Sequence, residues 1–442
     1  MTLSNVAKSR SLIFLYTCLA LIPLVVLASG PKLAARPALQ DLSIGLAFGG
    51  LSLMALQFLL TARIKPLTAP LGSDIVYYFH RQIGIAAFFF ILVHPILLFI
   101  VDARYLRLLN LLTAGWQARA GVSAFLLLIG VVWMSEFRAK LKIPYWFWKF
   151  WHGVLATVMI ALALYHIFMA GNYIDLPLKQ IVWIGYSAIL LMVVAYTRVI
   201  YPLSLIFHPW EVVEIRPERG SVWTLVMRPI GHRGFHFQPG QFAWLTARST
   251  PFADKEHPFS LASSAEQKDQ VEQSIKELGQ FTNTIKQLKP GTRVYLDGPY
   301  GSFSIDRFPQ AENLIMIPGG IGITPIMSML RTMAQRGDKR PILLFYANRE
   351  WETVTFREEV AALETRLNLK TVYVLEKPHP GWQGEGGFLN AAIFEKYLDA
   401  EWKKRQTHVF LCGPAPMMNA VEKALNIIEF PEERVHSERF SL

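Results

Sequence analysis

The apolar stretch YYFHRQIGIAAFFFILVHPILLFIV, residues 77–101, decides the fold of the first half of this chain. It is longer than the ~20 residues that cross a ~30 Å hydrocarbon core, so it predicts a membrane-spanning helix. His80 and His94 lie within it, 14 residues apart. Fourteen residues are two heptads, so both imidazoles face nearly the same side of the helix, about 21 Å apart along its axis.

Five more apolar runs have a similar length and predict further spans, at 11–29, 42–62, 119–137, 148–170 and 181–204. The first run could instead be a secretory signal, because Lys8 and Arg10 precede it and Ala28 opens an Ala-Ser-Gly sequence after it. It is long for a signal core, which favours a span. Residues 1–205 are therefore predicted to form an all-α bundle of six transmembrane helices.

The fifth span repeats the histidine spacing of the third, with His152 and His166 also 14 residues apart. The third and fifth spans run in the same direction, so side by side they place His80 opposite His152 and His94 opposite His166. We name these the inner pair and the outer pair. Each pair could bind one b haem through two imidazoles, which favours electron transfer over ligand chemistry at iron. The alternative is a set of hydrogen-bonded core histidines, but ionisable groups within spans usually mark function.

Charge and cysteine content limit the other possibilities. Up to residue 205 there are 16 Lys and Arg against five Asp and Glu, whereas the rest of the chain is balanced. The formal charge of +11 therefore lies on the apolar half, which points to lipid and not to nucleic acid. Cys18 and Cys412 lie in different halves, so no disulfide is predicted. No C-x-x-C-H motif occurs, so haem would be held without thioether bonds.

The second half of the chain changes pattern twice. Residues 206–310 contain short β runs such as SVWTLVMRPI and GQFAWLTA, punctuated by Gly and Pro, which predict an antiparallel β-barrel. Residues 311–442 contain the apolar runs LIMIP, PILLFYA, KTVYVLE and THVFLCG, separated by helical segments. This alternation predicts an α/β domain with a parallel sheet.

Two motifs in the barrel region predict a flavin site. Their residues are His257, Pro258, Phe259 and Ser260 in the first, and Lys276, Gly279, Phe281 and Thr282 in the second. An aromatic ring can pack on an isoalloxazine face, and a hydroxyl can hydrogen-bond the flavin edge. In the second motif a glycine turn opens a helical stretch, where backbone N–H groups and Lys276 can hold a pyrophosphate.

A glycine-rich turn in the α/β region predicts a nicotinamide dinucleotide site. Gly319, Gly320 and Gly322 follow a strand and precede a helix, so the backbone can approach a pyrophosphate closely. The spacing departs from the G-x-G-x-x-G of a Rossmann fingerprint. After the next strand, Arg349 could meet the 2′-phosphate of NADPH, although Glu350 follows it and NADH stays open.

HPFS followed by IKxxGxFT resembles the flavin site of the ferric reductase and NADPH oxidase superfamily, whose dehydrogenase half is similar to ferredoxin-NADP reductase. The turn at Gly319 is similar to the GGxGxTP of that family, with Thr324 and Pro325 in place. Two departures occur: His257 stands where the wider group commonly has Arg, and Phe281 where the membrane-bound branch often has Trp. The resemblance implies FAD as the flavin and haem b as the membrane cofactor.

The resemblance also implies roles for residues near the C-terminus. Cys412, Gly413 and Pro414 would lie beside the nicotinamide ring, although a buried structural cysteine is the alternative. Phe440 resembles the terminal aromatic that covers the flavin until nicotinamide displaces it, but two residues follow it here.

The expected function is a transmembrane oxidoreductase. Electrons from NADPH or NADH would pass through FAD, the inner haem and the outer haem to an acceptor outside, either dioxygen or a ferric chelate. The dehydrogenase would be cytosolic because nicotinamide cofactors are, and YWFWKFW at 145–151 suits an aromatic belt at the inner face of the cell membrane. An alternative is a cytochrome b subunit that donates electrons to an extracytoplasmic protein. A haem sensor or transporter would leave the flavin and nicotinamide motifs unexplained.

Overall fold

The structure is a computed structural model that describes residues 3–29, 37–64, 73–170, 173–174, 176–247, 250–252, 256–404 and 406–439. The chain separates into two compact units, which we name the membrane unit, Leu3–Pro202, and the reductase unit, Leu203–Leu442.

The membrane unit contains six helices long and apolar enough to cross a membrane, with mean hydropathies from 1.7 to 2.6. They are α1 (Leu3–Ala28), α2 (Ala38–Thr61), α3 (Ser73–Val101), α4 (Trp116–Glu136), α5 (Tyr145–Ala170) and α6 (Pro177–Ile206). A π-helical turn at Tyr196–Ile200 interrupts α6. The predicted six-helix bundle is confirmed.

The core of the membrane unit forms where five of the helices meet. Phe48, Leu128, Ile160 and Trp183 are buried there, whereas many apolar side chains on the outside of the bundle are exposed and suit contact with lipid acyl chains. A Cβ atom added at Gly50 would lie 2.6 Å from a side-chain carbon of a neighbouring helix. Small residues of this kind let membrane helices pack closely.

The first part of the reductase unit is an antiparallel sheet of six strands in the order β4-β3-β6-β1-β2-β5. The strands are β1 (Trp210–Glu218), β2 (Val222–Pro229), β3 (Phe242–Thr246), β4 (His257–Ser260), β5 (Val271–Lys276) and β6 (Arg293–Tyr300). An isolated bridge between Leu261 and Gln273 links the two ends of this sheet. The Gln273 amide also donates to the carbonyls of Ala243 and Phe259, both at 2.9 Å. The sheet thereby curls into the barrel-like form that was predicted.

The second part is a parallel sheet in the order β10-β9-β8-β7-β11-β12. Its strands are β7 (Asn313–Pro318), β8 (Ile342–Asn348), β9 (Leu369–Leu375), β10 (Glu385–Gly386), β11 (Thr407–Cys412) and β12 (Val435–Glu438), and its helices are α7 (Ile323–Arg336), α8 (Arg357–Glu364), α9 (Ala391–Tyr397), α10 (Ala400–Lys404) and α11 (Ala415–Ile427). Separate apolar cores cover its two faces. Burial on both faces explains why these strands are continuous apolar runs.

Helix α7 joins the two parts of the reductase unit. Arg331 donates to Glu272 of the barrel at 2.8 Å and to both oxygens of Glu359. The Ser328 hydroxyl donates to the carbonyl of Ser263 at 2.7 Å. Arg331 is only 13% exposed, so water screens this ion pair weakly. The barrel therefore fixes the helix that follows the glycine-rich turn.

Candidate functional site

The structure brings together the two histidines of the inner pair. His80 on α3 and His152 on α5 have ring centroids 6.2 Å apart, with planes inclined at 69°. Nδ1 of His152 lies 3.1 Å from the Ser135 hydroxyl of α4. Nδ1 of His80 is buried and has no hydrogen-bond partner among the residues that the structure describes.

The outer pair is anchored through Nδ1 on both sides. Nδ1 of His94 lies 2.9 Å from the Ser43 hydroxyl and 3.2 Å from the Ser43 carbonyl of α2. Nδ1 of His166 lies 2.8 Å from the carbonyl of Gln117 on α4. His94 and His166 are close enough to interact electrostatically. Both sequence pairings are therefore present, while the ligand roles stay a prediction.

This set of donors fits haem iron. A carbonyl can only accept, so Nδ1 of His94 and of His166 carries the proton and Nε2 keeps the lone pair that a metal needs. Two imidazoles per site suit an iron already held by a porphyrin. One helical turn after His80, no described atom lies within 4 Å of the Cβ position at Gly84. That gap leaves room beside the helix for a flat group.

Ser43 and Ser135 were missed at the level of sequence. Neither has a periodic relation to a histidine, because each reaches it from a different helix. The available signal was weak: polar side chains inside apolar spans are costly and tend to have a partner.

The aromatic residues of the predicted flavin site stack on one another. The rings of His257 and Phe281 are 3.9 Å apart at 20°, and those of Phe259 and Phe281 are 6.1 Å apart at 13°. Pro258 lies in the same strand, β4, opposite Trp244 of β3, and the neighbouring Ser260 is buried. The two motifs thus meet on one side of the barrel, although 22 positions separate His257 from Gly279 in the chain.

The second flavin motif forms a tight turn after Lys276, the last residue of β5. The Thr282 hydroxyl accepts hydrogen bonds from the N–H groups of Leu278 and Gly279, at 2.9 and 2.8 Å. The helical stretch predicted after the glycine is a six-residue 3-10 helix, Thr282–Gln287. So short a helix has little macrodipole. A pyrophosphate would depend on the turn's remaining N–H groups and on Lys276.

The glycine-rich turn packs against the end of β11. The Gly319 N–H donates to the Cys412 carbonyl at 2.8 Å. Added Cβ atoms at Gly319 and Gly322 would overlap with Met417 and with the Cys412 carbonyl. Gly320 has φ +52° and no described atom within 4 Å of its Cβ position. Two of the glycines therefore serve packing, and Gly320 faces open space where a ligand could approach.

The other residues of the two turns hold them in shape. The Thr324 hydroxyl donates to the Ile321 carbonyl at 2.9 Å, and Pro325 is buried in the first turn of α7. A Cβ atom added at Gly413 would lie 3.1 Å from the Gly319 backbone, and Pro414 precedes α11. The GGIGITP and CGP segments thus form one continuous surface.

Cys412 and Arg349 occupy contrasting environments. Cys412 is fully buried, and burial, helped by the nearby charge of Glu438, raises the pKa of its thiol well above the ordinary value. The thiol is therefore protonated at neutral pH. The Arg349 side chain is 65% exposed and lies 3.9 Å from Glu350. Phe440 lies outside the described residues.

Three family models match successive parts of the chain: a ferric reductase like transmembrane component at 46–163, an FAD-binding domain at 211–304 and an oxidoreductase NAD-binding domain at 316–423. These matches define a multi-pass membrane oxidoreductase with FAD-binding and NAD-binding domains. Within that class the chain is a fusion of the ferric reductase and NADPH oxidase type, and the predicted resemblance is confirmed.

Similar curated proteins include reductase components of oxygenases. The chain is 34% identical to the reductase component of phenol 2-monooxygenase from Pseudomonas sp., over 50% of this chain and 65% of that protein. It is 28% identical to the reductase component of propane 2-monooxygenase from Mycolicibacterium goodii, over 52% of this chain and 67% of that protein. A solved flavohaem-like FAD/NAD-binding domain of a Vibrio cholerae nitric oxide dioxygenase is 23% identical over 53% of this chain and 98% of its own, with a TM-score of 0.46.

Proposed function

We propose that the chain moves electrons from cytosolic NAD(P)H, via FAD and two b haems, to dioxygen or a ferric chelate on the outer face of the cell membrane. The observation that carries this proposal is the presence of two imidazole pairs between α3 and α5 of a ferric reductase-like domain. His80 and His152 form one pair, and His94 and His166 the other. The fused FAD- and NAD-binding domains supply the source of electrons.

The residues of the membrane unit would hold the haem irons. When bound, FAD accepts a hydride from NAD(P)H and releases electrons singly, and two b haems carry single electrons across the bilayer. The inner and outer pairs would each supply two axial imidazoles. Because both axial positions would be filled, chemistry at the iron itself is suppressed and the outer edge of the unit becomes the place of reaction.

Topology supports the order of the two pairs. Successive spans alternate in direction, so the C-terminal end of α6 lies on the same side of the membrane as the N-terminal ends of α3 and α5. His80 and His152 are near those N-terminal ends, and α6 leads into the reductase unit. Nicotinamide cofactors are cytosolic, which places this side inside.

The residues of the reductase unit would bind and orient the two nucleotides. His257, Phe259 and Phe281 present flat rings to a flavin, and Ser260 offers a hydroxyl at the edge of that surface. Gly320 leaves the backbone open to a pyrophosphate. Arg349, exposed at the end of β8, favours NADPH over NADH through its charge.

The test compares two acceptors with one preparation. Detergent-purified protein receives FAD and NADPH, and we measure dismutase-sensitive cytochrome c reduction in air and ferric chelate reduction without oxygen. A signal in the first assay identifies an oxidase, and a signal in the second identifies a ferric reductase. Haem that is reduced by NADPH while both assays stay at background would instead support an electron donor for an extracytoplasmic protein.

A further inference from the structure

We propose that Ser135 and Ser43 set the reduction potentials of the two haem sites by holding His152 and His94 as their Nδ1–H tautomers. This inference rests on the proposed function, because it concerns the haems that the two imidazole pairs would bind. It assigns a role to two hydroxyls within the membrane that carry neither a charge nor a ligand atom.

The bonds around Ser135 determine which atom carries each proton. The Ser135 hydroxyl donates its single hydrogen to the Val131 carbonyl at 2.7 Å. The indole N–H of Trp148, which can only donate, gives a second bond to Ser135 Oγ at 3.1 Å. With its hydrogen used, Ser135 Oγ can only accept from His152 at 3.1 Å. His152 therefore carries its proton on Nδ1 and leaves Nε2 for iron.

Ser43 holds His94 by the same logic on the opposite side of the membrane unit. The Ser43 hydroxyl donates to the His94 carbonyl at 2.8 Å, so Ser43 Oγ accepts from His94 Nδ1 at 2.9 Å. The Ser43 carbonyl, which can only accept, lies 3.2 Å from the same Nδ1. Ser43 is fully buried, so no water competes for these bonds.

A hydrogen bond from Nδ1–H raises the basicity of the imidazole at Nε2. A more basic axial ligand stabilises ferric over ferrous iron, which lowers the reduction potential. Removing the acceptor should therefore raise the potential of the haem that the histidine binds. Since Ser135 contacts only the inner pair and Ser43 only the outer pair, each serine should affect one haem and not the other.

The experiment is a spectroelectrochemical titration of the purified full-length protein with its haems bound, comparing wild type, Ser135→Ala and Ser43→Ala. Each variant should raise one of the two midpoint potentials, by about tenfold in the reduction equilibrium or ~59 mV for a one-electron couple. The two variants should move different midpoints. Ser43→Ala should show the smaller shift, because the Ser43 carbonyl still accepts from Nδ1.

Matched variants separate this role from general disturbance. Ser52→Ala removes another fully buried hydroxyl of α2, one that donates to the Ala20 carbonyl, and should leave both midpoints unchanged. Ser135→Thr keeps the hydroxyl and should restore the wild-type value. Trp148→Phe removes an N–H that weakens Ser135 Oγ as an acceptor, so it should shift the inner midpoint in the opposite direction, downward.

Two haems bound with both midpoints unmoved in Ser135→Ala and Ser43→Ala would overturn the inference and leave the proposed function intact. Equal shifts of both midpoints in each variant would also overturn it. If Ser135→Ala lost its haem, the downward shift in Trp148→Phe would decide the matter, and an upward or absent shift there would count against the inference. A wild-type protein without haem would contradict the proposed function itself.

Discussion

The membrane unit and the reductase unit hold their candidate sites by different means. In the membrane unit, single side-chain bonds between helices orient the imidazoles, as between Ser135 and His152. In the reductase unit, backbone turns are pressed together where only glycine fits, as Gly322 is against the Cys412 carbonyl. The first arrangement depends on individual side chains and the second on the shape of the backbone. Damage to one unit should therefore leave the chemistry of the other intact.

The largest separation is expected from His94→Ala. The variant should lose one haem, and reduction of the outer acceptor should fall by more than ~100-fold, beyond the effect of losing a residue that only supports a ligand. Reduction of a soluble dye by NAD(P)H should stay near the wild-type rate, since the reductase unit is untouched. Haem per FAD and the two rates are the measurements. His208→Ala, which changes an exposed histidine just after α6, is the control and should retain both haems.

The reverse separation is expected from Gly322→Val. The added side chain would overlap with the Cys412 carbonyl, so the two turns must move apart at a cost of about 1–3 kcal/mol. Dye reduction should fall by about tenfold or more, while the haem content stays at the wild-type level. Gly386→Ala is the control, because a Cβ atom there meets Pro378 at an ordinary 3.6 Å. Equal loss of haem and of dye reduction in Gly322→Val would break the comparison between the units.

Arg331→Met should weaken the joint between the barrel and the parallel sheet. The change leaves Glu272, itself only 10% exposed, without the Arg331 charge, and removing one partner of a buried pair costs about 3–5 kcal/mol. The temperature at which FAD is released should fall, and the haem spectrum should not change. Arg228→Met breaks a pair in which Arg228 is 61% exposed and should cost no more than ~1 kcal/mol. Equal effects of the two variants would show that the joint adds little.

The smallest effect concerns pH and a histidine pair in the reductase unit. Burial lowers the pKa of His408 to about 4 and that of His436 to about 3, and their ring nitrogens lie 2.9 Å apart. Both groups have a folded pKa below the unfolded value of about 6.5. Below that value the unfolded chain takes up protons that the folded unit refuses, so stability falls as pH drops from about 6.5 toward about 4.

The expected slope is up to ~1.4 kcal/mol per pH unit for each histidine. The FAD-release temperature between about pH 7.5 and about pH 5.5 measures it. Replacing both His408 and His436 with glutamine should flatten the dependence, whereas His379→Gln, at an exposed position, should not. A dependence that persists in the double variant would assign it to other groups.

The sequence predicted the fold well because the spans and strands are defined by hydrophobic patterns. Length and apolar character are enough to place six helices, and the spacing of 14 residues is enough to pair His80 with His152. The contacts of Ser135 and Ser43 were out of reach, since they depend on how helices distant in sequence are rotated. The packing roles of Gly319 and Gly322 were likewise hidden, because the residues they meet lie about 90 positions further along the chain.

The central claim is that the four membrane histidines bind two haems that the reductase unit can reduce. The most direct measurement adds NADPH, without oxygen, to purified full-length protein carrying FAD, and follows the haem spectrum together with the haem content per chain. We predict two b-type haems per chain, both reduced through FAD. A chain that binds no haem, or whose haem stays oxidised while its FAD is fully reduced, would contradict the claim.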